Sequence, residues 1–176
     1  MRDSSKNAVR KLEPLAFDLS MEDVFAIFDI GKTNKKLILF DDRLNLIQTE
    51  SNFFEEAVDE DGFPCENLKE VEAWINNSLH ELSKSKNYRL VGINFSAYGA
   101  SLVHLDYKYD LVTPLYNYLK PFSEEIMHDA WKRYGGRIKL ELQTASPFMG
   151  MLNSGFQLLW LQQKRHEVYK RISLYT

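Results

Sequence analysis

The sequence predicts an α/β fold, and three observations carry that expectation. Strand-like runs at 24–30, 36–40 and 44–49 are separated by tight turns. An amphipathic pattern with helical spacing covers 68–84, and a nearly all-apolar run follows at 89–95. Strands followed by a helix and a further buried strand build a layered α/β domain. With 176 residues, 44% of them hydrophobic and 27% charged, the chain has the size and balance of one globular domain with a real core.

Residues 1–20 carry mixed charges, three serines and little periodicity, and read as a mobile tail or as the product of a start codon upstream of the natural one. The domain proper is expected over 21–176. Its first strand, 24–30, ends on Asp29 and Ile30. The chain turns through Gly31-Lys32-Thr33-Asn34 and re-enters an apolar run at 36–40. Asp41-Asp42-Arg43 supplies a second tight turn into 44–49, so an antiparallel three-stranded meander is predicted. Asp59-Glu60-Asp61-Gly62 lacks EF-hand spacing and reads as a solvated loop. Asn67 and Glu70 have capping-box spacing. Val71, Trp74, Ile75, Leu79 and Leu82 then fall on one helical face, and the apolar run 89–95 suits a central strand buried on both faces. Three strands, a helix and a strand open a ribonuclease H-like domain.

Beyond it, 102–106 reads as a short strand. Ser123 with Glu124 and Glu125 starts a helix that Gly135-Gly136 ends. Residues 153–171 read as mostly helical, and 172–176 as the next element.

The first turn carries the chemistry. A concave loop of backbone N–H groups with hydroxyl, amide and ammonium donors suits a phosphate. Asp29 would repel the same anion, so it suits a metal ion or its water; Mg²⁺ takes one or two carboxylates beside substrate phosphates. The bland alternative is a hairpin in which Gly31 supplies a positive φ. Gly31-Lys32-Thr33 is not a P-loop, because Ala26 stands where its first glycine belongs and a strand follows. The loop 96–101 leaves the carboxyl end of the buried strand, where ligands bind in open α/β sheets.

Other chemistries find no support. The net charge of −3 suggests neither nucleic acid nor an anionic membrane as partner. The single cysteine, Cys65, cannot form an internal disulfide, and a reducing compartment is the simplest context. No run approaches membrane-spanning length and no signal-peptide core precedes Asp29, so a soluble, cytoplasmic protein is expected. His80, His104, His128 and His166 form no metal-binding spacing.

The stretch Asp29-Ile30-Gly31-Lys32-Thr33-Asn34-Lys35-Lys36 resembles the FGGY family of carbohydrate kinases. So do Asn94-Phe95-Ser96-Ala97-Tyr98-Gly99-Ala100, Gln143-Thr144-Ala145-Ser146-Pro147 and the run Asn153 to Leu161. Rhamnulokinases and fuculokinases look similar in these places, and the resemblance covers about 24–172. It implies two ribonuclease H-like domains of the actin-like ATPase superfamily around a cleft holding ATP, Mg²⁺ and a sugar.

On that resemblance Asp29 sits near the metal, and Gly31, Thr33, Asn34 and Lys35 face the nucleotide phosphates. Ser96, Ala97, Tyr98 and Gly99 contact the sugar, where rhamnulokinases carry an aromatic-glycine pair and xylulokinases a histidine-glycine pair. Asn117 and Tyr118 fall in a second sugar segment. Relatives often have an acid where Tyr118 stands and an arginine where Lys120 stands, so the resemblance implies no more than a pentose or deoxyhexose class of substrate. The family's catalytic aspartate and adenine-binding domain are expected downstream of Thr176. The chain therefore reads as the front portion of a sugar kinase, its first domain incomplete and by itself inactive. A non-catalytic sugar-binding or regulatory remnant of the same fold is the alternative.

Overall fold

A computed structural model describes residues 21–175; the tail expected over 1–20 lies outside the described residues. The elements run β1 (Glu22–Ile30), β2 (Lys35–Phe40), β3 (Leu46–Asn52), β4 (Ala57–Val58), β5 (Pro64–Cys65), α1 (Leu68–Lys84), β6 (Tyr88–Ala97) and β7 (His104–Leu105). There follow α2 (Glu124–Tyr134), α3 (Arg137–Thr144), a 3₁₀ turn at Gly150–Leu152, α4 (Ser154–Lys164), α5 (His166–Tyr169) and β8 (Leu174–Tyr175).

The main sheet has the order β3-β2-β1-β6. The first three strands form the antiparallel meander, and β6 returns parallel to β1 after the α1 crossover. Strand alternation explains the burial. Val24, Ala26 and Phe28 of β1 and Leu37 and Leu39 of β2 point to one buried face. The apolar stripe of α1 covers that face through Trp74, Ile75, Leu79 and Leu82. Phe28 meets Trp74 edge-on at 5.3 Å. A second cluster, Tyr116, Ile126, Met151, Trp160 and Leu161, gathers α2, the 3₁₀ turn and α4. No helix among the described residues is long and apolar enough to cross a membrane.

Helix α1 has the bounds its periodicity predicts, but its start differs. The Asn67 side chain caps nothing; its carbonyl accepts the Glu70 and Val71 N–H groups at 3.1 and 3.2 Å. Helix α2 ends on Gly135 in the left-handed region at φ 83°, as the glycine pair predicts. The run 102–106 reduces to the two-residue β7, which pairs with β8 at the chain's far end.

Two expectations are corrected. Strand β6 is an edge strand among the described residues, not a central one: Val91, Ile93 and Phe95 are 45%, 47% and 52% exposed. An apolar run reports the composition of both faces but not what packs on them; α1 covers Tyr88 and Leu90, and only β1 borders the strand.

The acidic loop is not simply solvated. The Asp59 side chain is buried and accepts from the Lys120 ammonium at 2.5 Å, Asp61 accepts from Lys120 and Arg165, and Glu60 accepts from the Tyr116 hydroxyl. Sequence spacing hid this because the cations lie more than fifty residues downstream.

Candidate functional site

The parallel pairing of β1 and β6 brings the two candidate segments together. Asp29 lies opposite Ser96 and Ile30 opposite Ala97. The Tyr98 N–H then donates to the Ile30 carbonyl at 3.0 Å, so the 96–101 loop leaves the sheet beside the 31–34 turn. Both stand at strand carboxyl ends.

The turn is closed by the Gly31 N–H donating to the Asn34 carbonyl at 3.0 Å. Gly31 has no positive φ, contrary to the simple hairpin reading. Glycine is needed here because a Cβ would lie 2.8 Å from the Asn34 carbonyl oxygen. The N–H groups of Lys32, Thr33 and Asn34 donate to no backbone carbonyl among the described residues, and Thr33 is exposed. The Asn34 Oδ1 is buried without a partner there. Asp29, half-buried, makes no ion pair among the described residues. The Lys32 ammonium reaches out to Glu56 at 2.7 Å.

Lys35 does not join this donor set. The strand's alternation turns its side chain into the core, where it is 2% exposed. Its ammonium lies 2.8 Å from each carboxylate oxygen of Glu66 and donates to the Lys32 carbonyl at 3.1 Å. Three donors meet three acceptors, and none is left to face a phosphate.

On the other segment Ser96, Ala97 and Gly99 are exposed, while Tyr98 is half-buried. The Tyr98 hydroxyl donates to Glu66 Oε2 at 3.2 Å, and its ring meets Tyr118 edge-on at 6.2 Å. Burial, followed by the Glu66 charge, pushes the Tyr98 phenol above its ordinary pKa, so it stays a donor.

Ala100 stands at φ 62°, and its carbonyl accepts from the fully buried Gln157 at 2.6 Å. Asn117 is buried and committed: its Nδ2 donates to the Pro64 carbonyl at 3.1 Å, and its Oδ1 accepts the Leu119 N–H at 3.0 Å. The geometry thus joins Asp29, the 31–34 turn, Ser96 to Gly99 and Tyr118 at one edge, and turns Lys35 and Asn117 to internal contacts.

Sequence reasoning missed Glu66 and Gln157, whose partners lie 31 and 57 residues away. Only their burial marks them, and burial is not written in a local pattern. A cavity of about 600 Å³ lies elsewhere, walled by Trp131, Phe148, Phe156 and Leu159 from α2, α4 and the loop between α3 and the 3₁₀ turn. None of the candidate residues lines it.

Residues 24–176 match the N-terminal domain of the FGGY family of carbohydrate kinases. Among solved structures the chain is similar to gluconate kinase from Lactobacillus acidophilus, with a TM-score of 0.73 and 21% identity over 88% of this chain and 31% of that one. It is similar to xylulose kinase from the same organism (TM-score 0.72, 22% identity, 87% of this chain, 31% of that one). It also resembles Plasmodium falciparum glycerol kinase (TM-score 0.65, 19% identity, 85% of this chain, 30% of that one). No curated protein matches it. The chain thus spans under a third of the solved structures it resembles, and the family match together with that likeness gives it the ribonuclease H-like fold of the actin-like ATPase superfamily.

Proposed function

The chain belongs to the FGGY family of carbohydrate kinases, and from that premise we propose that it forms the phosphate-turn and sugar-loop side of an ATP-dependent kinase acting on a sugar hydroxyl. The observation that carries the reading is the junction of the two segments, with the Tyr98 N–H on the Ile30 carbonyl at 3.0 Å. Phosphoryl transfer is mostly positioning and charge neutralisation, so a shared edge for phosphate and acceptor is what the reaction needs.

Gly31, Thr33 and Asn34 face the nucleotide phosphates. The side-chain-free approach at Gly31 and the unpartnered Asn34 oxygen fit a ligand-holding turn. Lys35 supports the turn from behind through the Lys32 carbonyl. Asp29, without a cation partner among the described residues, would hold Mg²⁺, which supplies neutralisation of phosphate charge. Ser96, Ala97, Tyr98, Gly99 and Tyr118 hold a sugar of the pentose or deoxyhexose class, with aromatic surface for its C–H faces. Asn117 shapes that segment through Pro64 and Leu119.

The carboxylate that contacts the Tyr98 loop is Glu66, and it is consumed by Lys35. Glu66 is therefore no base for the sugar hydroxyl and Asp29 is given to the metal, so we assign binding without turnover to these 176 residues.

Calorimetric titration of the chain with Mg·ATP and with D-xylulose, L-rhamnulose, L-fuculose, gluconate and glycerol tests the reading, alongside a coupled assay for ADP. Expected are binding of Mg·ATP that Asp29→Asn weakens, binding of one sugar that Asp29→Asn leaves intact, and no sustained ADP release. Binding of neither class overturns the kinase reading. Sugar binding without any nucleotide binding overturns the assignment of the phosphates to the 31–34 turn, and ADP release at an ordinary enzymatic rate overturns the assignment of binding alone.

A further inference from the structure

We propose that Glu66 is a positioning residue that couples the 31–34 turn to the 96–99 loop, holding the two halves of the site in one geometry; the inference rests on the reading of those segments given above. Glu66 sits where β5 gives way to α1. Its backbone bridges Leu115, and its carbonyl accepts the Leu68 N–H at 3.1 Å. From this fixed base one carboxylate, 8% exposed, serves both segments.

Toward the turn it takes the Lys35 ammonium on both oxygens at 2.8 Å. The remaining ammonium proton goes to the Lys32 carbonyl at 3.1 Å, which ties the charge pair to the turn's own backbone. Toward the loop Oε2 takes the Tyr98 hydroxyl at 3.2 Å. The exposed groups, Thr33 on one side and Ser96, Ala97 and Gly99 on the other, are thus presented by segments whose buried ends meet on one side chain.

Stability alone does not call for such a pair. Apolar residues of similar volume replace buried ion pairs at little or no loss. What an ion pair with every donor satisfied adds is direction, because each bond fixes an angle as well as a distance.

The test is amide NMR on the 176-residue chain, with hydrogen exchange read at 31–34, at 96–99 and, as a reference for intact folding, in α4. Tyr98→Phe removes only the hydroxyl. It is expected to shift the Lys32 to Asn34 amide resonances in the native background and to leave them unmoved in a chain carrying Lys35→Met with Glu66→Gln. That double substitution removes both charges at nearly constant volume, and unchanged exchange in α4 checks that its fold is intact. Glu66→Asp keeps the charge but withdraws it by one methylene. That withdraws it from Lys35 and Tyr98 alike. Exchange is expected to speed roughly tenfold both at 96–99 and at the Gly31 amide, the effect of one lost hydrogen bond on local opening, with α4 unchanged.

Equal resonance shifts in both backgrounds, or none in the native one, overturn the proposal. So does exchange that rises uniformly through α4. Should the native chain bind neither Mg·ATP nor any of the five sugars while the resonance coupling holds, the kinase reading falls and the positioning role of Glu66 stands.

Discussion

Gly31 and His104 show how single residues constrain this chain. A Cβ at position 31 would press on the Asn34 carbonyl at 2.8 Å, against backbone that cannot swing aside. Gly31→Ala is expected to open the turn and cost about 1–3 kcal/mol, the range for backbone strain at such sites. The cost is measurable by urea unfolding, and an unchanged midpoint would show that the turn relaxes freely.

His104 is fully buried, with Nδ1 2.9 Å from Thr113 Oγ1 and Nε2 without a partner among the described residues. Burial drives its pKa down from 6.5 to about 4. Between those values the unfolded chain binds a proton that the folded chain refuses. Stability is therefore full above about pH 6.5 and declines as pH falls toward 4, by up to about 3 kcal/mol. Asp23, Asp41, Asp61 and Glu141, whose carboxyls are held below their ordinary values by Arg89, Asn45, Lys120 and the Phe148 N–H, add a loss in the same direction at the acid end of that range. A His104 variant separates the two. Urea midpoints at pH 7, 5.5 and 4.5 check this, and His104→Gln is expected to flatten the slope. Asp29 and Gly31 could be singled out from the sequence because a strand, an acid and a turn are local. The inward aim of Lys35 could not, since its partner Glu66 stands 31 residues away.

At the scale of elements, periodicity found what is built on a buried stripe and missed what is not. Helix α1 came out with its bounds because its apolar face packs on the sheet. Helix α3 left no signal: it buries no residue, and Ile138 and Leu142 are 73% and 78% exposed. An Arg137–Glu141 pair at 2.8 Å and the Phe148 N–H on Glu141 hold it instead.

Strand β6 shows the opposite failure, apolar yet bare along one edge among the described residues. Ten residues of edge strand with Val91, Ile93 and Phe95 exposed form a template for sheet extension. Concentrating the 176-residue chain is expected to raise its apparent size on gel filtration. Ile93→Lys, a charge on the exposed strand, should suppress that without moving the urea midpoint. A native chain that elutes as a clean monomer at every concentration would refute this.

For the molecule as a whole, the question is what makes one domain of two apolar clusters. The sheet cluster around Phe28 and Leu39 and the helical cluster around Tyr116 and Trp160 share no buried residue. Polar contacts tie the segments around them together: Gln157 on the Ala100 carbonyl, Glu66 on Lys35 and Tyr98, and the acidic hairpin on Lys120 and Arg165. These long-range ties are also what sequence reading could not supply, because each joins segments with no shared pattern.

The strongest of them is testable. The Lys120 ammonium lies 2.5 Å from the buried Asp59 carboxylate, 2.7 Å from Asp61, and 4.9 Å from the centre of the Trp160 ring. Lys120→Met keeps the packing on that ring but strands the Asp59 charge, whose side chain has no access to water. Removing one partner of a buried pair costs about 3–5 kcal/mol, far more than the pair itself contributes. Adding Asp59→Asn to the same chain is expected to recover most of that loss. Trp160 reports the helical cluster and Trp74 the sheet cluster, so following each by fluorescence, with Trp131 and the other replaced by phenylalanine, separates the two. In the native chain both should follow one urea transition. With Lys120→Met the Trp160 transition should move to lower urea ahead of that of Trp74, because the hairpin no longer anchors the helical side. A cost below about 1 kcal/mol, the level of an exposed ion pair, would mean that Lys120 is not what fastens the two clusters.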